Sequence, residues 1–178
     1  MRILALLLLL SACATAEPMA VIGDSITASK TSWANRLTTD EQPMYIMAQS
    51  GRTIRDYDMP RDWWARNYRV VIYFIGTNDI IQDQSLMKVQ RIFRQHIEFM
   101  QARRFKPIVI LPPVYPDYVD SSLAIRKMMK ATCSNHKVSV IDLDEAWEPW
   151  WTFDGIHPTT QGQALMAQYI SEKLGDIL

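Results

Sequence analysis

The sequence predicts an α/β fold in three layers, α/β/α, with a five-stranded parallel sheet between two layers of helices. Three observations carry this. Five short runs rich in β-branched and other apolar residues recur along the chain, and stretches of helical length separate them. The runs also lack the strict polar alternation of a sheet wetted on one side, so both faces of the sheet are expected to be covered. With 178 residues, 48% of them apolar, the chain has the material for one domain around one sheet.

The strands are expected at 19–22, 44–48, 70–75, 108–111 and 138–143. The clearest helix covers 85–104, where Leu86, Val89, Ile92, Phe93, Ile97 and Met100 trace one face. Two more are expected at 123–133 and 164–174. No repeat, low-complexity tract or linker interrupts residues 17–178, which read as a single domain.

Residues 1–16 read as a signal peptide: Arg2, an apolar run from 3 to 10 too short to span a bilayer, then small residues. Two processing routes fit. Leu10-Ser11-Ala12-Cys13 resembles a bacterial lipoprotein box, with lipid on Cys13, whereas Ala14-Thr15-Ala16 matches an A-x-A cleavage site that would release a soluble periplasmic or secreted protein. Either route exports the chain. In the lipid-anchored case it faces the periplasm or sits at the outer membrane, and Ala14 after Cys13 resembles the outer-membrane sorting pattern. Export implies an oxidising compartment, yet Cys133 is the one other cysteine, so the mature chain has no intramolecular disulfide. Cys133 shares a helical face with Ile125, Met128, Met129 and Thr132 and is expected to be a buried, inert thiol.

Nineteen basic residues balance nineteen acidic ones, and no basic run exceeds Arg103-Arg104, so nucleic acid is excluded as an expected partner. No obligate protein partner is evident.

Open parallel sheets bind ligands beyond the carboxyl ends of their strands. Four polar turn clusters converge there: Gly23-Asp24-Ser25-Ile26 after the first strand, Gln49-Ser50-Gly51-Arg52 after the second, Gly76-Thr77-Asn78-Asp79 after the third, and Asp154-Gly155-Ile156-His157-Pro158 beyond the fifth. Each alone is ordinary turn material. Together they supply complementary chemistry, because a serine hydroxyl attacks only when a base removes its proton, and the base needs a third group to hold its tautomer. Ser25, His157 and Asp154 are the candidates. His96 lies within the 85–104 helix and His136 follows the 123–133 helix, so both read as packing or surface residues.

These blocks, Gly-Asp-Ser, a glycine, Gly-x-Asn-Asp and Asp-x-x-His, resemble those of the GDSL or SGNH hydrolase family, in family order and over residues 21–158. Ile26 stands where the family often has leucine. The resemblance implies a flavodoxin-like SGNH fold and ester hydrolysis through an acyl-enzyme, without cofactor or metal. It further implies Ser25 as nucleophile, His157 as base and Asp154 as its orienting partner. The oxyanion hole it implies consists of the Ser25 N–H, the Gly51 N–H and the Asn78 side chain. A Gly-x-Ser-x-Gly elbow is excluded by Thr27, and neither a zinc motif nor a phosphate-binding loop is present.

The substrate is expected to be an acyl or acetyl ester of a lipid or an envelope glycan. Trp147, Trp150, Trp151 and Phe153 precede Asp154, where aromatics stack on a sugar, cover an acyl chain, sit at a membrane interface or simply close the core. Trp63 and Trp64 invite the same readings. If Cys13 carries lipid, residues 14–18 form a tether reaching at most ~18 Å, which favours lipid, lysophospholipid or nearby glycan esters. Two rival readings remain: a carbohydrate O-acetylesterase on envelope polysaccharide, and a non-catalytic envelope-binding lipoprotein. The mark of the latter would be a missing catalytic part, and none is missing.

Overall fold

In a computed structural model, which describes residues 18–59 and 68–178, the five apolar runs form the strands β1 (Met19–Gly23), β2 (Met44–Ala48), β3 (Val70–Phe74), β4 (Lys106–Leu111) and β5 (Ser139–Asp142). All neighbours pair in parallel, in the order β2-β1-β3-β4-β5. The helices among the described residues are α1 (Ser25–Ala28), α2 (Trp33–Leu37), α3 (Thr77–Ile81), α4 (Leu86–Ala102), α5 (Val119–His136) and α6 (Thr160–Ile177).

Successive side chains of a strand point to opposite faces, and here both faces are dry. Ile22, Val71, Tyr73, Val109 and Leu111 pack on one side against Val89, Phe93 and Ile97 of α4 and Ile125, Met129 and Cys133 of α5. Met19, Val21, Ile72, Phe74, Ile108 and Ile110 pack on the other against Trp33 and Ala34 of α2 and Met166, Ile170 and Leu174 of α6. The three-layer architecture follows from this double burial, as expected. Cys133 is a buried free thiol whose pKa burial pushes up to about 12, consistent with an inert role.

Two helices run longer than their periodicity announces. The fifth helix covers Val119–His136 rather than 123–133, and the sixth starts at Thr160, capped by the Thr159 hydroxyl accepting from the Gly162 N–H. His136 is therefore the last residue of α5, with its ring 3.9 Å from Glu98. Three short helices, α1, α2 and α3, were not expected. In α1 and α3 the polar clusters after β1 and β3 wind into single helical turns, because Asp24 caps the first by accepting from Ile26 N–H and Gly76, at φ +130°, opens the second.

His96 is a packing residue, as expected, and a polar one. Its Nδ1 accepts from the Tyr73 hydroxyl at 2.9 Å and its Nε2–H donates to the Tyr57 carbonyl at 3.0 Å. Burial pulls its pKa down to about 4, so the ring is neutral. The Tyr57 hydroxyl donates to the carbonyls of Gly23 and Met47, joining the ends of β1 and β2 beneath the site.

Candidate active site

Strand order reverses at β1: the chain moves outward to β2, then crosses back to β3 on the other side. Such a reversal opens a crevice at the carboxyl edge, and Ser25, Gly51 and Asn78 each follow one of these three strands. The fourth block arrives from a loop between β5 and α6. Thr152 bridges Pro158 in antiparallel fashion and Phe153 N–H donates to the His157 carbonyl at 3.1 Å, so residues 153–157 form a closed turn that projects His157 towards Ser25.

Ser25 Oγ lies 2.9 Å from His157 Nε2, and His157 Nδ1 lies 2.7 Å from Asp154 Oδ2. The other oxygen of Asp154 accepts from the backbone N–H groups of Ile156 at 3.0 Å and His157 at 2.7 Å. Although partial burial pushes the Asp154 carboxyl up, these bonds and the imidazole outweigh it and hold its pKa below the usual carboxylate range. An ionised carboxylate only accepts, so the Nδ1 proton belongs to His157 and Nε2 is left to accept the Ser25 hydroxyl proton. Residues 132 positions apart thus form one chain of hydrogen bonds in the order that activates a nucleophile.

The second half of the crevice is held by α3. Asn78 Nδ2 donates to the Arg52 carbonyl at 2.9 Å, and Asp79 Oδ2 accepts from Ile54 N–H at 2.8 Å. Two consecutive side chains therefore grip the loop that carries Gly51. Gly51 sits at φ +78°, a left-handed conformation that favours glycine, and Thr53 with Asp56 closes a capping box just after it.

Two buried carboxyls flank the chemistry unannounced by sequence reasoning. Asp24 precedes the serine and Asp79 follows the asparagine; each has one oxygen bonded to a backbone N–H and the other buried, with the Thr77 hydroxyl beside the Asp24 carboxyl. Burial raises Asp24 to about 6 and Asp79 to about 7, with the nearby carboxylates of Asp56 and then Asp24 adding to the shift of Asp79. Arg126 is a third surprise: buried in α5, it donates to the Pro112 carbonyl and pairs with Asp142 at 2.8 Å, tying α5 to the ends of β4 and β5.

The aromatic residues before Asp154 divide. Trp151 is buried and Trp147 packs against both cores, whereas Trp150 and Phe153 are 58% and 72% exposed. Cys13, Trp63 and Trp64 lie outside the described residues. Among the described residues no three His, Cys, Asp or Glu side chains are grouped to hold a metal ion, and no helix is long and apolar enough to cross a membrane.

A serine, a histidine and an aspartate hydrogen-bonded across the switch point of a parallel sheet form an arrangement that serine hydrolases use. The GDSL-like lipase/acylhydrolase family model matches residues 21–165, and the chain belongs to that family. It is an ester hydrolase with the SGNH fold. No curated protein matches it in sequence. Solved structures similar to it include the acetyl xylan esterase AlAXEase, with TM-score 0.79 and 16% identity over 88% of this chain and 99% of that one. TesA aligns with TM-score 0.78 and 19% identity over 91% of this chain and all (100%) of its own. A member of the lipolytic protein G-D-S-L family from Veillonella parvula DSM 2008 aligns with TM-score 0.72 and 21% identity over 87% and 96% of the two chains.

Proposed function

We propose that the chain is a serine esterase working through a Ser25–His157–Asp154 triad and an acyl-enzyme. The observation that carries the reading is the pair of contacts at 2.9 and 2.7 Å that link the three side chains. Ser25 Oγ attacks the ester carbonyl while His157 Nε2 takes its proton. The oxygen that becomes negative is met by the backbone N–H groups of Ser25 and Gly51 and by the second N–H of the Asn78 amide, whose first N–H is committed to Arg52. Collapse expels the alcohol with the proton from His157. Water, deprotonated by the same imidazole, then frees the acid and restores Ser25.

The test is turnover of p-nitrophenyl esters from acetate to palmitate at pH 7.5, by the chain from residue 17 onward and its Ser25→Ala twin. Turnover lost in the twin supports the reading. Two folded proteins without turnover on any ester contradict it and favour the binding lipoprotein.

The same proposal includes export and a lipid anchor on Cys13. The polarity of the sheet bears on what such an anchor permits. Met19 begins β1 at one edge and Ser25 follows it at the other, so the tether and the crevice lie at opposite ends of a strand about 16 Å long. A tether of five residues would keep the domain near the bilayer and join it at the end of β1 remote from Ser25. That arrangement favours an ester of the surrounding envelope over the lipids of the anchoring leaflet.

A further inference from the structure

Phe153 is a large apolar side chain that the fold leaves in water. It is 72% exposed, and yet its place is well determined: its N–H is bonded to the His157 carbonyl, and its ring lies nearly parallel to the His157 imidazole, 20° between planes and 6.0 Å between centroids. A core residue would be covered, and a residue serving only to support the imidazole has no need of an open outer face. Trp150, 58% exposed, stands on the same segment and packs edge-on against buried Trp151, with centroids 6.3 Å apart and planes at 79°.

The mechanism says which half of the substrate meets this surface. His157 Nε2 must hand its proton to the departing oxygen, so the alcohol half of the ester lies against His157, while the carbonyl oxygen points to Gly51 and Asn78. Phe153 stacks on the imidazole that serves this alcohol half, and its open ring continues the His157 surface outward. A flat, open ring face with a negative quadrupole matches a group that presents a row of slightly positive C–H bonds on one flat face and hydroxyls around its rim, which is the form of a pyranose. A flexible alkyl chain gains most from a groove that surrounds it, whereas one open ring face suits a flat partner.

We infer that Phe153 is the residue that selects the alcohol half of the substrate, and that this half is a sugar ring stacked on it, making the substrate class O-acylated carbohydrate. The inference rests on the proposed serine-esterase reading, with His157 delivering the proton to the alcohol.

The experiment compares the full chain with Phe153→Ala and Phe153→Trp on three substrates: acetylated methyl glucopyranoside, ethyl acetate and a lysophospholipid dispersion. Acid release is followed by pH-stat, and melting temperature is recorded for each variant. The expected result is a fall of about tenfold or more in the kcat/KM ratio of the glucopyranoside to ethyl acetate in Phe153→Ala, lying in KM, with an unchanged pH profile and with recovery in Phe153→Trp. A ratio unchanged by Phe153→Ala, or a loss falling on the lysophospholipid instead, overturns the inference. Hydrolysis of ethyl acetate but not of the sugar ester overturns it while leaving the esterase reading standing. No hydrolysis of any of the three by the parent chain overturns both.

Discussion

Asn78 donates one amide N–H to the carbonyl of Arg52 at 2.9 Å, which fixes the orientation of the amide and leaves its second N–H free for the proposed oxyanion hole. A donor held in place before the reaction costs no reorganisation when charge develops. Asn78→Ala is expected to lower kcat ~10²–10³-fold with KM little changed. Asn78→Asp should be at least as damaging, since a carboxylate repels both the Arg52 carbonyl and the oxyanion. Steady-state kinetics on p-nitrophenyl acetate checks both; a kcat within about threefold of the parent in either would remove Asn78 from the hole.

Asp154 offers a sharper test of tautomer control. Its Oδ1 accepts two backbone N–H groups, from Ile156 and His157, so in Asp154→Asn the amide oxygen must keep that position and the NH₂ must face the imidazole. Nδ1 then has to accept, the ring proton moves to Nε2, and His157 can no longer take the Ser25 proton. We expect kcat to fall on the order of 10⁴-fold with the fold intact, measured by kinetics alongside circular dichroism. Asp154→Asn with near-parental kcat would show that the carboxylate does not set the tautomer.

The strands were legible because both faces of the sheet are buried, which forces continuous apolar runs such as Val70–Phe74, and α4 because one face alone is buried and the pattern repeats cleanly. That Ser25, His157 and Asp154 come together was legible only from the clusters taken jointly, since each is ordinary turn material alone and it is their complementary groups at one sheet edge that single them out. The bounds of α5 were not. Ser122, Arg126 and Thr132 occupy its buried face, and Arg126 is admissible there only because Asp142 and the Pro112 carbonyl meet it, partners supplied by tertiary structure. The Phe153–His157 stack was equally hidden, as it depends on the Thr152–Pro158 bridge closing the loop.

Buried titratable groups predict two opposed pH effects on stability. Asp24 and Asp79 have folded pKa values raised to about 6 and about 7 from 3.8, so their contribution is fully present below the unfolded value and is lost as pH rises through the folded ones. At about 1.4 kcal/mol per pKa unit, Asp24 is worth on the order of 3 kcal/mol and Asp79 on the order of 4. His96, lowered to about 4 from 6.5, does the reverse: its contribution is present above the unfolded value and lost as pH falls through about 4. The melting temperature of Asp79→Asn relative to the parent should therefore rise between pH 4 and pH 8, and that of His96→Gln should rise as pH drops from 7 to 4. Differences that stay flat with pH would mean that these groups titrate normally.

Gly162 links the scaffold to the catalytic turn. A Cβ there would lie 2.2 Å from the Trp151 carbonyl oxygen, which itself accepts from Thr159 N–H at 2.7 Å, so α6 starts in direct backbone contact with the segment leading to Asp154. Gly162→Ala is expected to cost about 1–3 kcal/mol and to lower kcat by displacing that segment. Thermal melting and kinetics check it; a variant matching the parent in both would show that the turn adjusts freely.

The proposed mechanism requires that Ser25 Oγ, activated by His157, becomes acylated. The most direct measurement is intact-mass and peptide mapping after exposure to a fluorophosphonate, which phosphonylates activated serine hydroxyls and stops there. A single adduct is expected on the peptide containing Ser25, formed rapidly in the parent, strongly slowed in His157→Ala and absent in Ser25→Ala. A folded parent protein that stays unmodified, or an adduct on another residue, would contradict it.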